Sequence, residues 1–307
     1  MKRRLGTLLL ALSLVLALLP TGAFAEETVI HAEAENDFYA AATLEPAVRI
    51  VMEADIALPG GLTFAGDVTL DLNGHVLRLA PGSSGSVLTV GRGKQMTIID
   101  SRPETVHKFT PNDDGLWVLD EENGSETVRG GIITGGTGRE VLIWGDIYND
   151  CGGGVYLEPG AVLNMESGSI VGCAATDGGG VFIESDLDGA KGAFYMNGGS
   201  ILGCVAADGG GGVYANAQGS ILEMCGSAVI RGCRSGSSGG GVRIWGTMKM
   251  SDRAAIRGCV VEGTGMSRYG GGVYINSGSH LTMTGQSVVE NCQVIFSGSA
   301  GGGSTYK

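Results

Sequence analysis

Aromatic side chains are scarce in this chain of 307 residues, at 6% of the total, and there are only seven prolines. The four histidines, His31, His75, His107 and His280, are scattered, and none has a partner at a metal-ligand spacing. Positive charge is also short: 20 Lys and Arg stand against 32 Asp and Glu, for a net charge of −12. Nucleic acid and anionic lipid surfaces are held by excess Lys and Arg, so both are excluded as expected partners. Acidic polysaccharides are disfavoured for the same reason, unless a cation bridges the charges. Past residue 25 no apolar run approaches the about 18 residues of a membrane-spanning helix. Gly91-Arg92-Gly93-Lys94 lacks the spacing and the following Ser or Thr of a phosphate loop, and no Ser-His-Asp grouping follows from residue order.

The first 25 residues read as an export signal. Lys2, Arg3 and Arg4 make a basic start, Leu5 to Leu19 an apolar stretch, and Ala23-Phe24-Ala25 a small-residue cleavage site. The expected location is therefore secreted or cell-surface, with residues 26–307 as one domain and 26–45 as a leader or cap.

What the chain has in excess is glycine, 56 residues in clusters that repeat. Gly-Gly-Gly begins at 152, 178, 210, 239, 270 and 301, which sets coils of 26 to 32 residues, and five triplets are followed by Val. Three alternating segments recur between triplets. The first runs from Val155-Tyr156-Leu157 to Val273-Tyr274-Ile275. The second is apolar-x-Met, as in Leu163-Asn164-Met165 and Leu281-Thr282-Met283. The third is Ile-x-Gly-Cys, ending at Cys173, Cys204, Cys233 and Cys259, with Val289 to Cys292 as a variant. Period-2 alternation over three to five residues between glycines specifies strands. Three short strands per coil, stacked about 4.8 Å apart, specify an all-β, right-handed parallel β-helix, a solenoid whose coils share one core.

Alternation predicts that Met165, Met196, Met224, Met248, Met250 and Met283 face inward while Asn164, Tyr195, Glu223, Lys249 and Thr282 face out. Residues 26–101 read as irregular opening coils, 102–128 as an acidic loop insertion and 129–307 as the regular coils. Corners of variable length, Asp186 to Gly192 and Glu262 to Tyr269, are where solenoids carry recognition. The chain stops at Gly301 to Lys307, where a further coil is expected to begin. An uncapped end exposes core and strand edges, so the reading is of a product truncated before an anchor or a further domain.

The Gly-Gly-Gly-Val-Tyr coil, with Leu70-Asp71-Leu72-Asn73-Gly74 and Ile98-Ile99-Asp100-Ser101, resembles the pectate-lyase-like β-helix superfamily. Within it the chain is similar to glycine-rich, adhesin-like bacterial surface proteins and to the repeats of chlamydial polymorphic outer-membrane proteins. The Phe-x-x-Asn motif of the latter is not repeated in these coils, and its carboxyl-terminal barrel is expected to be missing. The resemblance implies an adhesin-like or structural surface protein, without catalysis, that binds glycan or protein. Its alternative is a polysaccharide lyase or glycoside hydrolase, since the superfamily spans both.

Candidate site residues follow from the coils. Asp177 and Asp208 precede successive triplets and are expected one coil apart, as an acid pair or a calcium site; Asp before glycine is equally a turn former. Tyr156, Phe182, Tyr214, Arg243 and Tyr274 share the outward position of the first strand. An exposed aromatic stripe there would be a platform for a sugar chain or a protein, or cross-strand packing alone. Asp113, Asp114, Asp120, Glu121 and Glu122 would hold calcium if any cofactor is present, or form a solvated loop, as their spacing fits no EF-hand. Cys173, Cys204, Cys233, Cys259 and Cys292 are expected as one inward column of mostly free thiols, because stacked Cβ vectors run side by side; strict alternation from Ile230 would instead send Cys233 outward. Cys151 and Cys225 lie too far apart in coil count to bond.

Overall fold

The structure, a computed structural model, describes residues 28–144, 147–184, 189–263, 268–296 and 305–306. The expected export signal, part of each variable corner and most of the last triplet segment lie outside the described residues. The described chain is an all-β parallel solenoid of about eight turns.

The three recurring segments form three ladders in the register that their columns require. In the first, Leu62–Phe64, Leu88–Val90, Val155–Leu157, Val181–Ile183 and Val273–Ile275 stack with the starts of two long strands, Val213–Met224 and Val242–Met250. The ends of those long strands enter the second ladder, so both ladders belong to one 14-stranded sheet. There Met165, Met196, Met224, Met250 and Met283 stand in one column. All but Met283 are buried, as is Met248, while Glu223 and Lys249 face outward and pair at 2.6 Å. Met283 is 40% exposed because no described coil covers it. The third ladder stacks Ile133, Ile170, Ile201, Ile230, Ile256 and Val289. A fourth, short ladder follows each cysteine and includes Ala174–Asp177, Val205–Gly209, Arg234–Ser235 and Val260–Gly263.

The triplet and the Ile-x-Gly-Cys motif recur together because they meet across the core. A Cβ built on Gly180 would lie 2.8 Å from Ile201 Cγ2 and 3.5 Å from Cys204 Sγ. The first glycine of that triplet, Gly178, also needs a left-handed φ of 63° to turn the corner. The column of four cysteines from Cys173 to Cys259 is fully buried and joins the main core, with Cys292 half-buried at its end. All seven thiols are free. The inward reading therefore holds, and strict alternation fails at Cys233 because Gly232, at φ 65°, reverses the pleat.

The amino-terminal end is closed by the strand Thr28–Ala32 and the helix Glu35–Ala42. Phe38, Ala41 and Ala42 of that helix enter the main core, and the Asp37 carboxylate accepts the Glu33 and Ala34 N–H groups at 2.9 and 3.0 Å.

Two insertions leave the solenoid and lie back on it. Residues 102–128, expected as an acidic loop, instead form most of a three-stranded antiparallel sheet of Val106–Pro111, Trp117–Leu119 and Glu126–Arg129. The acids mislead because they occupy its turns: Asp120 accepts the Asn123 N–H and the Thr110 hydroxyl, each at 2.9 Å. This sheet lies on the outer face of the third ladder, with Phe109, Trp117 and Val128 packed on Val171 and Leu202. Trp117 crosses the glycines of successive Ile-x-Gly-Cys turns, where a Cβ on Gly203 would fall 2.0 Å from its ring. The second insertion is a hairpin, Arg139–Trp144 with Ile147–Cys151, which joins the fourth ladder where Cys151 pairs with Asp177.

Candidate functional site

Two columns of residues flank the triplet corner, and between them they hold Asp177 and the aromatic stripe. The column before the triplet reads Cys151, Asp177, Gly209, Ser238, Tyr269. The column after it reads Tyr156, Phe182, Tyr214, Arg243, Tyr274.

The stripe is continuous, but its first three rings are not exposed. Tyr156, Phe182 and Tyr214 are 2%, 0% and 6% accessible and form a small core with Cys151, against which the hairpin's Val141 packs. Tyr156 and Phe182 stack at 5.6 Å, and Phe182 meets Tyr214 edge-on at 5.4 Å. The Arg139 guanidinium caps the lower end, 5.2 Å from the Tyr156 ring, and the Tyr156 hydroxyl donates to the Glu184 carboxylate. The exposed platform expected along the whole stripe is thus confined to its upper end. An outward position is open only where no other segment lies over it, and here the hairpin does. Burial, followed by the bond to Glu184, pushes the Tyr156 phenol up, and burial pushes Tyr214 up to about 12.

Asp177 and Asp208 do not stack. The strand Val205–Gly209 holds one residue more than Ala174–Asp177, and the register shifts so that Asp177 opposes Gly209. Asp177 is 4% accessible, accepts Asn149 Nδ2 at 2.8 Å and the Gly209 N–H at 3.3 Å, and has its carboxyl pushed up by burial. Nearby Asp208 adds to that rise, while Arg243 and the Asn149 bond oppose it. Asp208 turns outward to Arg243 Nη1 at 3.4 Å. The absence of a side chain at Gly209 makes room for the arginine, since a Cβ there would lie 2.6 Å from Arg243 Cδ.

Above this point the corner opens. Arg243 lies 4.7 Å from the Tyr214 ring and 6.0 Å from Tyr274. Tyr274, half-buried, stacks at 5.5 Å and 23° on Tyr269, which is 52% exposed. The sequence named Tyr274 and Arg243 but missed Tyr269, the last residue before its triplet. It also missed the hairpin, although Val141-Leu142-Ile143 and Ile147-Tyr148 around Gly145-Asp146 carry an ordinary hairpin signal.

The calcium candidates are separated. Asp113 and Asp114 sit in the exposed turn before Trp117–Leu119, and Asp120 follows that strand. The Asn123 N–H and the Thr110 hydroxyl hold the Asp120 carboxyl below its usual range. Among the described residues no three His, Cys, Asp or Glu side chains gather as a metal site. A cavity of about 440 Å³ lies between Asp113, Asp114 and the fourth ladder, where Arg234 pairs with Glu262 at 3.1 Å.

No family model matches this chain, and searches of curated proteins and of solved structures give no match either.

Proposed function

We propose that the chain is an exported, adhesin-like or structural β-solenoid that binds through its surface and carries no catalytic centre of its own. The observation behind this reading is the state of the two candidate acids. Asp177 lies beneath a hairpin with both carboxylate oxygens engaged, and Asp208 is displaced by a register shift into an ion pair. A general acid and base must instead reach one bond from positions open to substrate. The signal-like first 25 residues support export, and the motif resemblance to pectate-lyase-like surface proteins supports a place at the cell exterior.

The competing reading is a polysaccharide lyase or glycoside hydrolase, and one observation favours it: a carboxyl with a raised pKa beside Arg243 and Tyr214 has the character of a general acid. Incubating the purified chain with pectin, polygalacturonate and neutral glucans decides between them. The non-catalytic reading expects no reducing ends and no unsaturated product above the level of an Asp177→Asn, Asp208→Asn double variant. Release that depends on either acid overturns it.

A further inference from the structure

We propose that the open rung of the triplet corner is a binding subsite for a neutral pyranose, built from Tyr269 and Tyr274 over the Arg243–Asp208 pair. This deepens the preceding reading, since it assumes that the solenoid surface is presented to glycans.

The two columns beside the corner form a notch that is closed on its lower rungs and, among the described residues, open beside Tyr269. The lower rungs are closed by the hairpin and by ring-on-ring packing. On the Gly209 rung the notch is filled by the Arg243 side chain. On the rung of Tyr269 and Tyr274 the rings stack on each other, Arg243 lies 6.0 Å from Tyr274 on one side, and Tyr269 keeps half of its surface in water. An apolar ring held in place by a second ring, at little cost in rotamer freedom, is suited to stack against the C–H face of a sugar.

A ring alone gives little selectivity, and the neighbouring pair supplies the polar part. Asp208 and Arg243 are fixed against each other at 3.4 Å, with side chains 48% and 22% exposed. Adjacent sugar hydroxyls can donate to that carboxylate and accept from that guanidinium in one plane, as charge-assisted hydrogen bonds. The pair is neutral in sum and the whole chain is strongly acidic, which favours an uncharged sugar over a uronate or a sulfated one.

The test is a calorimetric titration of the purified chain with cellohexaose, xylohexaose and mannohexaose, and with hexagalacturonate as the acidic control. At least one neutral hexasaccharide is expected to bind. Tyr269→Ala, which removes an exposed ring outside the first ladder, should weaken that binding about tenfold or more at an unchanged melting temperature. Tyr274→Ser and Asp208→Asn should weaken it in the same direction. The subsite is overturned if no neutral oligosaccharide binds, if Tyr269→Ala binds as tightly as the parent, or if hexagalacturonate is the sole ligand. These results are separable from the earlier reading: absent binding sinks the subsite and leaves the non-catalytic solenoid standing, while release of reducing ends does the reverse.

Discussion

The lower coils and the upper coils share one backbone and differ in what lies over them. In the third ladder the last outward position reads Val171 and Leu202 under the three-stranded insertion, then Arg231, Arg257 and Glu290 beyond it. In the first ladder it reads Tyr156, Phe182 and Tyr214 beside the hairpin, then Arg243 and Tyr274. Both columns change from apolar to charged or mixed at neighbouring coils. In a solenoid, then, the inward columns report the fold, and the outward columns report the footprint of whatever packs on it. At the boundary Arg231 does both jobs: its guanidinium lies 4.7 Å from the Trp117 ring and 3.3 Å from Glu126.

The largest expected effect breaks the cover itself. Trp117→Ala removes a 5%-exposed ring that spans successive turns and should cost about 3 kcal/mol of stability, as for other buried aromatic truncations. Trp245→Ala, at a 42%-exposed ring on an open coil, should change stability by less than about 0.5 kcal/mol. Urea unfolding of both variants measures the contrast, and equal losses would show that the covered and open coils do not differ as described.

Chemical access gives a second contrast. Cys151, Cys173, Cys204, Cys233 and Cys259 are buried, while Cys225 and Cys292 are half-buried. A reagent cannot reach the five buried thiols without opening the core, whereas Cys225 and Cys292 are partly open to it. A thiol reagent should therefore label Cys225 and Cys292 in the native protein and all seven after denaturation without reductant. Three or fewer thiols in the denatured protein would mean that the column is cross-linked.

The smallest effect concerns Asp177, buried under the hairpin. Its folded pKa lies above the usual 3.8, so the fold holds its proton more tightly than the unfolded chain does. The stability this supplies is complete below about pH 3.8 and is lost as pH rises through the raised value. The melting temperature of Asp177→Asn should therefore gain on that of the parent as pH climbs from about 4 toward neutrality. A difference that stays constant across that range would mean that Asp177 does not titrate with a raised pKa.

Much of the fold was legible because inward positions obey local rules. A β-strand in a stack must alternate, so Val155, Met165 and Ile170 could be assigned from their own neighbours in sequence. The candidate site was legible only as a set of residues. Whether Tyr156 is a platform or a core residue depends on Val141 and Arg139, which belong to a hairpin that the repeat does not predict. The two-against-one register at Asp208 was likewise hidden, since residue order shows two acids in matching places and not which of them the ladder takes up. Asn291 shows that even a departure from the repeat can keep its geometry. It stands where the other coils have the glycine of Ile-x-Gly-Cys and adopts the same left-handed turn, with φ 55°.

The extra residue at Asp208 carries a wider consequence. The fourth ladder regains register on the next rung, with Gly209 opposite Ser238, and the first is undisturbed, with Val213 opposite both Val181 and Val242. A change in chain length at this corner is therefore quarantined within one turn and never reaches the next. Such a molecule can be edited in its corners, residue by residue, without any renegotiation of its core, much as a staircase keeps its pitch when one landing is widened.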